Sequence, residues 1–280
     1  MVPGYDEAFL PGSVVSLPGL SQRLSEEAYL SGAPVHHTRY SVVFSALRGF
    51  AIFTAHNVDG STILPEGRIR RDNRFRNDPE VPAELQVDDD RGYRNNRWDR
   101  GHLVQRRALH WGDLGEARAA DADSFLWTNI APQHEHLHDT AWGSIEDWML
   151  DRSTDDLQRA AVFTGPVLTP DDPVHVNRAG QRPIRIPAGY WKIMALHHEE
   201  RLVAAAFLVW QRDHDRIDPV EFDPVLEQVR LTTIEHLTGL SFEALRPCDP
   251  LHLAAARERE LRGLQPPSGG VVSAPTDITL

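Results

Sequence analysis

Hydrolysis of a phosphodiester needs three things: a base for the attacking water, positive charge facing the pentacovalent phosphate, and an acid or metal-bound water for the leaving oxygen. Asp99-Arg100-Gly101-His102 offers the first two within four residues. Histidine suits the base because its unperturbed pKa lies near neutrality, and arginine meets phosphate with a fork of donors. On an extended strand the side chains at i and i+2 share a face, so Arg100 and His102 could address one phosphate. A second cluster, His134-Glu135-His136-Leu137-His138-Asp139, alternates three imidazoles and adds two acids, which gives it metal-ligand character. It reads either as a metal-binding box or as a polar loop with one functional histidine; the second reading is adopted. Glu146 follows His138 by eight residues, ~12 Å of helix rise, so a Glu146 that serves the same ion as His138 acts through a metal-bound water.

The elements that must position these groups are legible in outline. Two β-rich runs, 39–46 and 50–56, flank Leu47-Arg48-Gly49 and predict a hairpin. From about 64 to 97 the chain is polar and proline-punctuated, a long loop of the kind that is functional or disordered. Phe125 to Ile130 reads as a short buried strand ending at Pro132. Trp142, Ile145, Trp148 and Met149 recur at helical spacing and predict a helix from about 140 to the high 150s, its aromatics serving the core. Runs at 160–165, 190–196 and 202–210 read as strands, the last two joined through Glu199-Glu200-Arg201. A short helix at 232–237 ends at Gly239, a C-cap position. Strands and helices alternate without a βαβ rhythm, so the expected class is α+β. The organisation expected is an N-terminal arm or short helix over 1–34, one domain over 35–262, and a Pro/Gly/Ser-rich disordered tail over 263–280.

The chain has 280 residues and a net charge of −12, which argues against a general polyanion binder. The charge is unevenly spread: between Arg68 and Arg107 eleven arginines face eight acids, a local +3 in a chain that is −15 elsewhere. That pattern suits one phosphate-facing patch. Lys192 is the only lysine among 29 basic residues, a bias that reads as codon composition. Cys248 is alone, which excludes an intrachain disulfide and a thiol-rich metal site. No stretch approaches the ~20 apolar residues of a membrane span, and Met1 to Leu20 has neither a basic nor a continuous apolar region of a signal peptide; the expected location is cytoplasmic.

Taken in order, the pieces resemble the DNA/RNA non-specific endonucleases, the sugar-non-specific ββα-metal nucleases that include endonuclease G. The family pattern reads Asp-Arg-Gly-His, then Ser/Thr-Asn-Ile/Val-x-Pro-Gln, then Leu-Asn-x-x-x-Trp-x-x-Leu-Glu. The corresponding stretches are 99–102, 128–133 and 137–146. Thr164-Gly165-Pro166, Ile186 to Lys192, Ala205 to Leu208 and Ile234 to Leu240 also have family counterparts, so the resemblance spans roughly 36–245. It implies a ββα-metal (His-Me finger) fold with a central antiparallel sheet flanked by helices. It implies a hydrolase acting on DNA, RNA or both with little sequence specificity, one divalent metal ion (Mg²⁺ by family), products with 5′-phosphate ends, no membrane partner and often a homodimer.

By position, the resemblance makes His102 the general base and Arg100 a phosphate contact. Asn129 stands beside the metal site, and Glu146 hydrogen-bonds a metal-bound water. A second arginine of the 71–76 stretch stabilises the transition state, with Arg74 and Arg71 as candidates. One position departs: the family's asparagine metal ligand is His138. As a ligand, an imidazole shifts preference toward Mn²⁺, Ni²⁺, Co²⁺ or Zn²⁺; alternatively the site has lost its metal and the chain is a catalytically inactive nucleic-acid-binding relative. Retention of His102, Arg100, Asn129 and Glu146 favours the first. A binuclear zinc hydrolase built on the histidine run is a third reading, but His138 and Asp139 stand in the wrong order for it.

Overall fold

Hydrophobic and β-branched runs build the strands where the sequence places them. In this computed structural model, which describes residues 4–137, 142–155, 158–211, 224–253 and 270–280, β1 is Val35–His37, β2 Tyr40–Ser45 and β3 Phe50–Asp59. Next come β4 Trp98–His102, α1 Leu114–Asp123, β5 Ile130–His134 and α2 Gly143–Asp155. The chain continues with β6 Arg159–Val167, β7 Gly189–His198, β8 Arg201–Trp210, β9 Leu226–Val229, α3 Leu231–Thr238 and β10 Gly270–Val271. The main sheet runs in the order β10-β9-β8-β7-β6-β3-β2-β1, every neighbour antiparallel. The α+β expectation with a central antiparallel sheet holds.

Both faces of the sheet are covered, and alternation along each strand sorts the side chains. On β7, Tyr190, Met194 and Leu196 join Trp98, Leu103, Trp127, Trp142, Ile145 and Met149 on one face. Trp191, Ile193 and Ala195 join Tyr5, Leu10, Leu24, Ile234 and Phe242 on the other. The first face carries β4, β5 and α2; Trp142, Ile145 and Met149 anchor α2 to the sheet at the i, i+3, i+7 spacing read from sequence. The second carries the N-terminal residues and α3, which ends at Gly239 with φ 79°, a left-handed conformation that glycine adopts without strain.

Three differences from expectation have physical causes. The strand read at 125–130 begins later: Trp127–Asn129 is a 3₁₀ turn, and β5 runs through Pro132. A proline fits because β4 and β5 form a two-stranded ladder with open edges, and the Pro132 carbonyl still accepts from Tyr190 Oη at 2.6 Å. The polar loop over 64–97 is tied down by a buried anchor. The Asp78 carboxylate lies 2.9 Å from His37 Nε2 and accepts from Thr128 Oγ1 at 2.7 Å, while Gln86 Nε2 donates to the Asp78 carbonyl at 2.9 Å. Within the stretch expected to be a disordered tail, Gly270–Val271 adds an edge strand to β9, and Thr279 exchanges two hydrogen bonds with the Gln228 side chain. Composition gave no hint of it because pairing is a backbone property. His138 and Asp139 lie outside the described residues.

Candidate active site

The antiparallel ladder of β4 and β5 sets Trp98 opposite His134, Arg100 opposite Pro132, Gly101 opposite Ala131 and His102 opposite Ile130. The Gln133 side chain crosses Gly101: a Cβ there would fall 2.2 Å from Gln133 Cδ, so any larger residue at 101 must displace Gln133. Arg100 and His102 share a face as the i, i+2 rule requires, and both meet Phe75. The His102 ring lies 5.8 Å from the Phe75 ring, and the Arg100 guanidinium lies 5.5 Å from it. Phe75 packs edge-on against Phe125 at 5.2 Å and stacks on Trp127 at 5.1 Å. His102 meets Phe125 edge-on at 5.2 Å, and the Arg71 guanidinium stands over the same ring at 5.9 Å. Two aromatic rings therefore space two guanidinium groups around one imidazole.

Arg100 is oriented by Asp89, whose carboxylate accepts from Arg100 Nε at 2.8 Å and also from Nη2. Arg71 is exposed and donates from Nε to Asn73 Oδ1 at 2.6 Å; desolvation by its neighbours and then the charge of Arg106 lower its pKa against the pull of Asp121. Arg74 points elsewhere. Its side chain is exposed and paired with Asp72 at 3.0 Å. Of the two candidates for the second arginine, the structure brings Arg71 to the His102 platform and leaves Arg74 outside.

Asn129 is fully buried, and its amide is committed to backbone. Oδ1 accepts from Val104 N at 2.9 Å, and Nδ2 donates to the carbonyls of Val104 and Ser124 at 3.2 and 2.9 Å. Its own carbonyl accepts from Leu103 N at 2.9 Å. Asn129 thus clamps the two residues that follow His102 and acts as a positioning group.

Glu146 sits in the first turn of α2, and Lys192 Nζ donates to its Oε1 at 2.8 Å. Lys192 reaches over from β7 and stands 4.7 Å above the Trp142 ring. His56 on β3 closes the cluster. Burial, and then the Lys192 charge, hold the His56 pKa down at about 3, so the ring is neutral at pH 7. A cavity of about 10 Å³ lies among Glu146, Lys192, His56 and Gln105, space for about one water. Among the described residues no three His, Cys, Asp or Glu side chains are grouped to hold a metal ion. His134, the first of the histidine run, is buried against Trp98, and its Nδ1 accepts from His136 N at 3.3 Å.

Sequence reading missed four participants. Phe75 and Phe125 look like ordinary core aromatics. Asp89 is one of three consecutive aspartates with nothing to single it out. Lys192 was visible only as a motif letter, although its being the one lysine in the chain was a usable signal.

A match to the DNA/RNA non-specific endonuclease family covers residues 21–247, and the chain belongs to that family. Its fold is the ββα-metal nuclease fold. A crystal structure of the EndoG/EndoGI complex superposes with a TM-score of 0.56 at 16% identity, covering 74% of this chain and 84% of that one. Among relatives, an uncharacterized protein of Sinorhizobium fredii is 34% identical over 79% of this chain and 34% of its own length. Human mitochondrial endonuclease G is 28% identical over 64% of this chain and 56% of its own length. A nuclease of Serratia marcescens is 30% identical over 54% of this chain and 53% of its own length. The chain thus spans about a third of the Sinorhizobium protein and about half of human endonuclease G.

Proposed function

We propose that this chain is a divalent-metal-dependent endonuclease that hydrolyses phosphodiester bonds of DNA, RNA or both with little sequence specificity. The observation that carries the reading is the shared face of β4, where His102 and Arg100 meet Phe75 while Arg71 flanks Phe125. His102 takes the proton of the attacking water. Arg100 and Arg71 address the phosphate as its negative charge grows. Asn129 fixes the backbone behind His102, and Asp89 fixes Arg100. Backbone recognition by arginine carries no base information, which accounts for low sequence specificity.

By family position a single ion would be held at His138, which lies outside the described residues. Glu146 is a buried carboxylate beside a water-sized space, the arrangement a carboxylate needs to act on an ion through water rather than as a ligand. Bound there, a divalent ion supplies positive charge to the phosphate and to the leaving oxygen. An imidazole ligand favours Mn²⁺ or a later transition metal over the Mg²⁺ of the family. The reading includes a homodimer, the family's common state, which sedimentation of the purified chain as a monomer would remove.

The test is cleavage of plasmid DNA and of structured RNA across Mg²⁺, Mn²⁺, Ni²⁺ and Zn²⁺ by the wild type and by His102→Ala. The expected result is metal-dependent nicking that falls by about 10²–10⁴ in a variant that keeps its circular dichroism. Full activity in His102→Ala overturns the assignment. Gel-shift binding by the wild type without cleavage in any metal replaces it with the inactive binding relative.

A further inference from the structure

The start of β4 borders a recess that the reaction above does not use. A cavity of about 420 Å³ opens between Arg97-Trp98 and the short strand pair of Val174–His175 with Ile184–Arg185. Trp98 forms its floor and meets the His175 ring edge-on at 6.4 Å. Pro173, Val174 and Ile186 make an apolar wall. Val174 is 59% exposed, so this wall presents apolar surface to solvent that no other part of the described chain covers. Exposed Arg97 stands at the rim.

The imidazole in this recess is set in place and uncharged. The Asn96 amide lies 3.3 Å from His175 Nε2 and is itself fixed by donating to Asn177 Oδ1 at 2.8 Å and the Gly92 carbonyl at 2.9 Å. Burial, and then the Arg97 charge, lower the His175 pKa below its ordinary value. A flat neutral ring, a valine face and a tryptophan floor suit a flat, weakly polar ligand; the adjacent guanidinium suits an anion joined to it. A nucleobase with its phosphate has both parts. Pairing of ring faces with a cation is the sequence-tolerant way of holding single-stranded nucleic acid.

The position agrees with that ligand. Trp98 and His102 are ends of one strand, about 13 Å apart at ~3.3 Å per residue. Along a stacked strand rising about 3.4 Å per nucleotide, this is about four nucleotides from the cut, and fewer if the strand is stretched. We infer that the recess is a distal nucleotide subsite: a base of the substrate strand lies against Val174 and His175 above Trp98, and Arg97 holds a neighbouring phosphate. This rests on the nuclease reading for its choice of substrate. The subsite gives the enzyme a preference for substrate length without a preference for sequence.

The test compares the wild type with Arg97→Ala/His175→Ala on single-stranded oligonucleotides of two to ten nucleotides. In the wild type kcat/KM rises by about tenfold once the substrate is long enough to reach the recess, the scale of one stacked base. In the double variant the shortest substrate is cleaved as before and the rise is lost. No rise in the wild type, or a full rise in the variant, overturns the subsite. Val174→Ser, a milder surface change, reduces the rise partway and guards against a folding artefact. If the wild type cleaves nothing, the nuclease reading falls, and the recess is read by fluorescence anisotropy of a labelled ten-nucleotide strand. Binding weakened about tenfold in the double variant supports it, and unchanged binding overturns it.

Discussion

Lys192 Nζ donates to Glu146 Oε1 at 2.8 Å, and both side chains are almost completely buried, at 2% and 5% exposure. The only lysine of an arginine-rich chain thus holds the carboxylate at the head of α2. A compact ammonium stands beside a cavity of about 10 Å³. A buried pair stabilises little in net terms, but removing one partner strands the other charge. Lys192→Met is therefore expected to cost about 3–5 kcal/mol in urea unfolding. Adding Glu146→Gln should return much of that stability while leaving nuclease activity low. A Lys192→Met protein as stable as the wild type would show that the pair is not formed.

Arg71 and Arg74 lie three residues apart but differ in setting. Arg71 faces Phe125, which His102 also touches, whereas Arg74 pairs with Asp72 in solvent. Arg71→Ala is expected to lower kcat/KM by about 10²-fold or more, the loss typical of one donor aimed at developing charge. Arg74→Ala should change it by less than about threefold. Steady-state rates on one plasmid substrate decide the matter, and the reverse ranking restores Arg74 as the functional arginine.

What the sequence disclosed and what it hid follow from the range of the interactions. The helix through Trp142 and Met149, the strands of the sheet and the pairing of Arg100 with His102 are local patterns, and each stands where periodicity put it. Contacts between segments far apart in sequence leave no local trace. Asp89 reaching Arg100, Lys192 reaching Glu146 across 46 residues, and Phe75 under His102 are of this kind. Asn129 shows a third case: its motif marked it as important, but only the structure shows its amide committed to the backbone after His102. β5 starts later than the run from Phe125 predicts because Phe125 and Trp127 pack against Phe75 rather than pair with a strand.

Gly101 lies under the Gln133 side chain, with no room for a Cβ. Gly101→Ala is expected to push Gln133 aside, spread β4 from β5 and turn His102 off the phosphate, with activity falling more than tenfold and stability by about 1–3 kcal/mol. Truncating the obstacle should relieve it: Gly101→Ala/Gln133→Ala is expected to be more stable and more active than Gly101→Ala alone. Thermal melts and cleavage rates of the three variants test the coupling, and strictly additive effects would separate Gly101 from Gln133.

His56 makes folding depend on pH in a window set by its own displacement. The unfolded chain binds a proton on this ring near pH 6.5, whereas in the folded protein burial, and then Lys192, delay protonation to about pH 3. Between those values the unfolded state carries more protons, so stability falls as pH falls, by at most about 1.4 kcal/mol per unit, and levels off below the folded value. Asp78 is displaced in the same direction, downward, in a lower pH range. Its burial raises the pKa, but the His37 hydrogen bond and charge, with Thr128, outweigh it and leave the group below 3.8. Its contribution is present above that value and is lost only as pH drops beneath it. The interval from pH 6.5 to 5 lies above the Asp78 range, and the lowered pKa of His175 acts in it alike in the wild type and in His56→Gln. Urea unfolding across it should show the wild type losing about 1–2 kcal/mol, and His56→Gln, which cannot take up the proton in either state, losing much less. Parallel slopes for the two proteins would mean that the buried ring is protonated in the folded state and that Lys192 and Glu146 have rearranged to admit its charge.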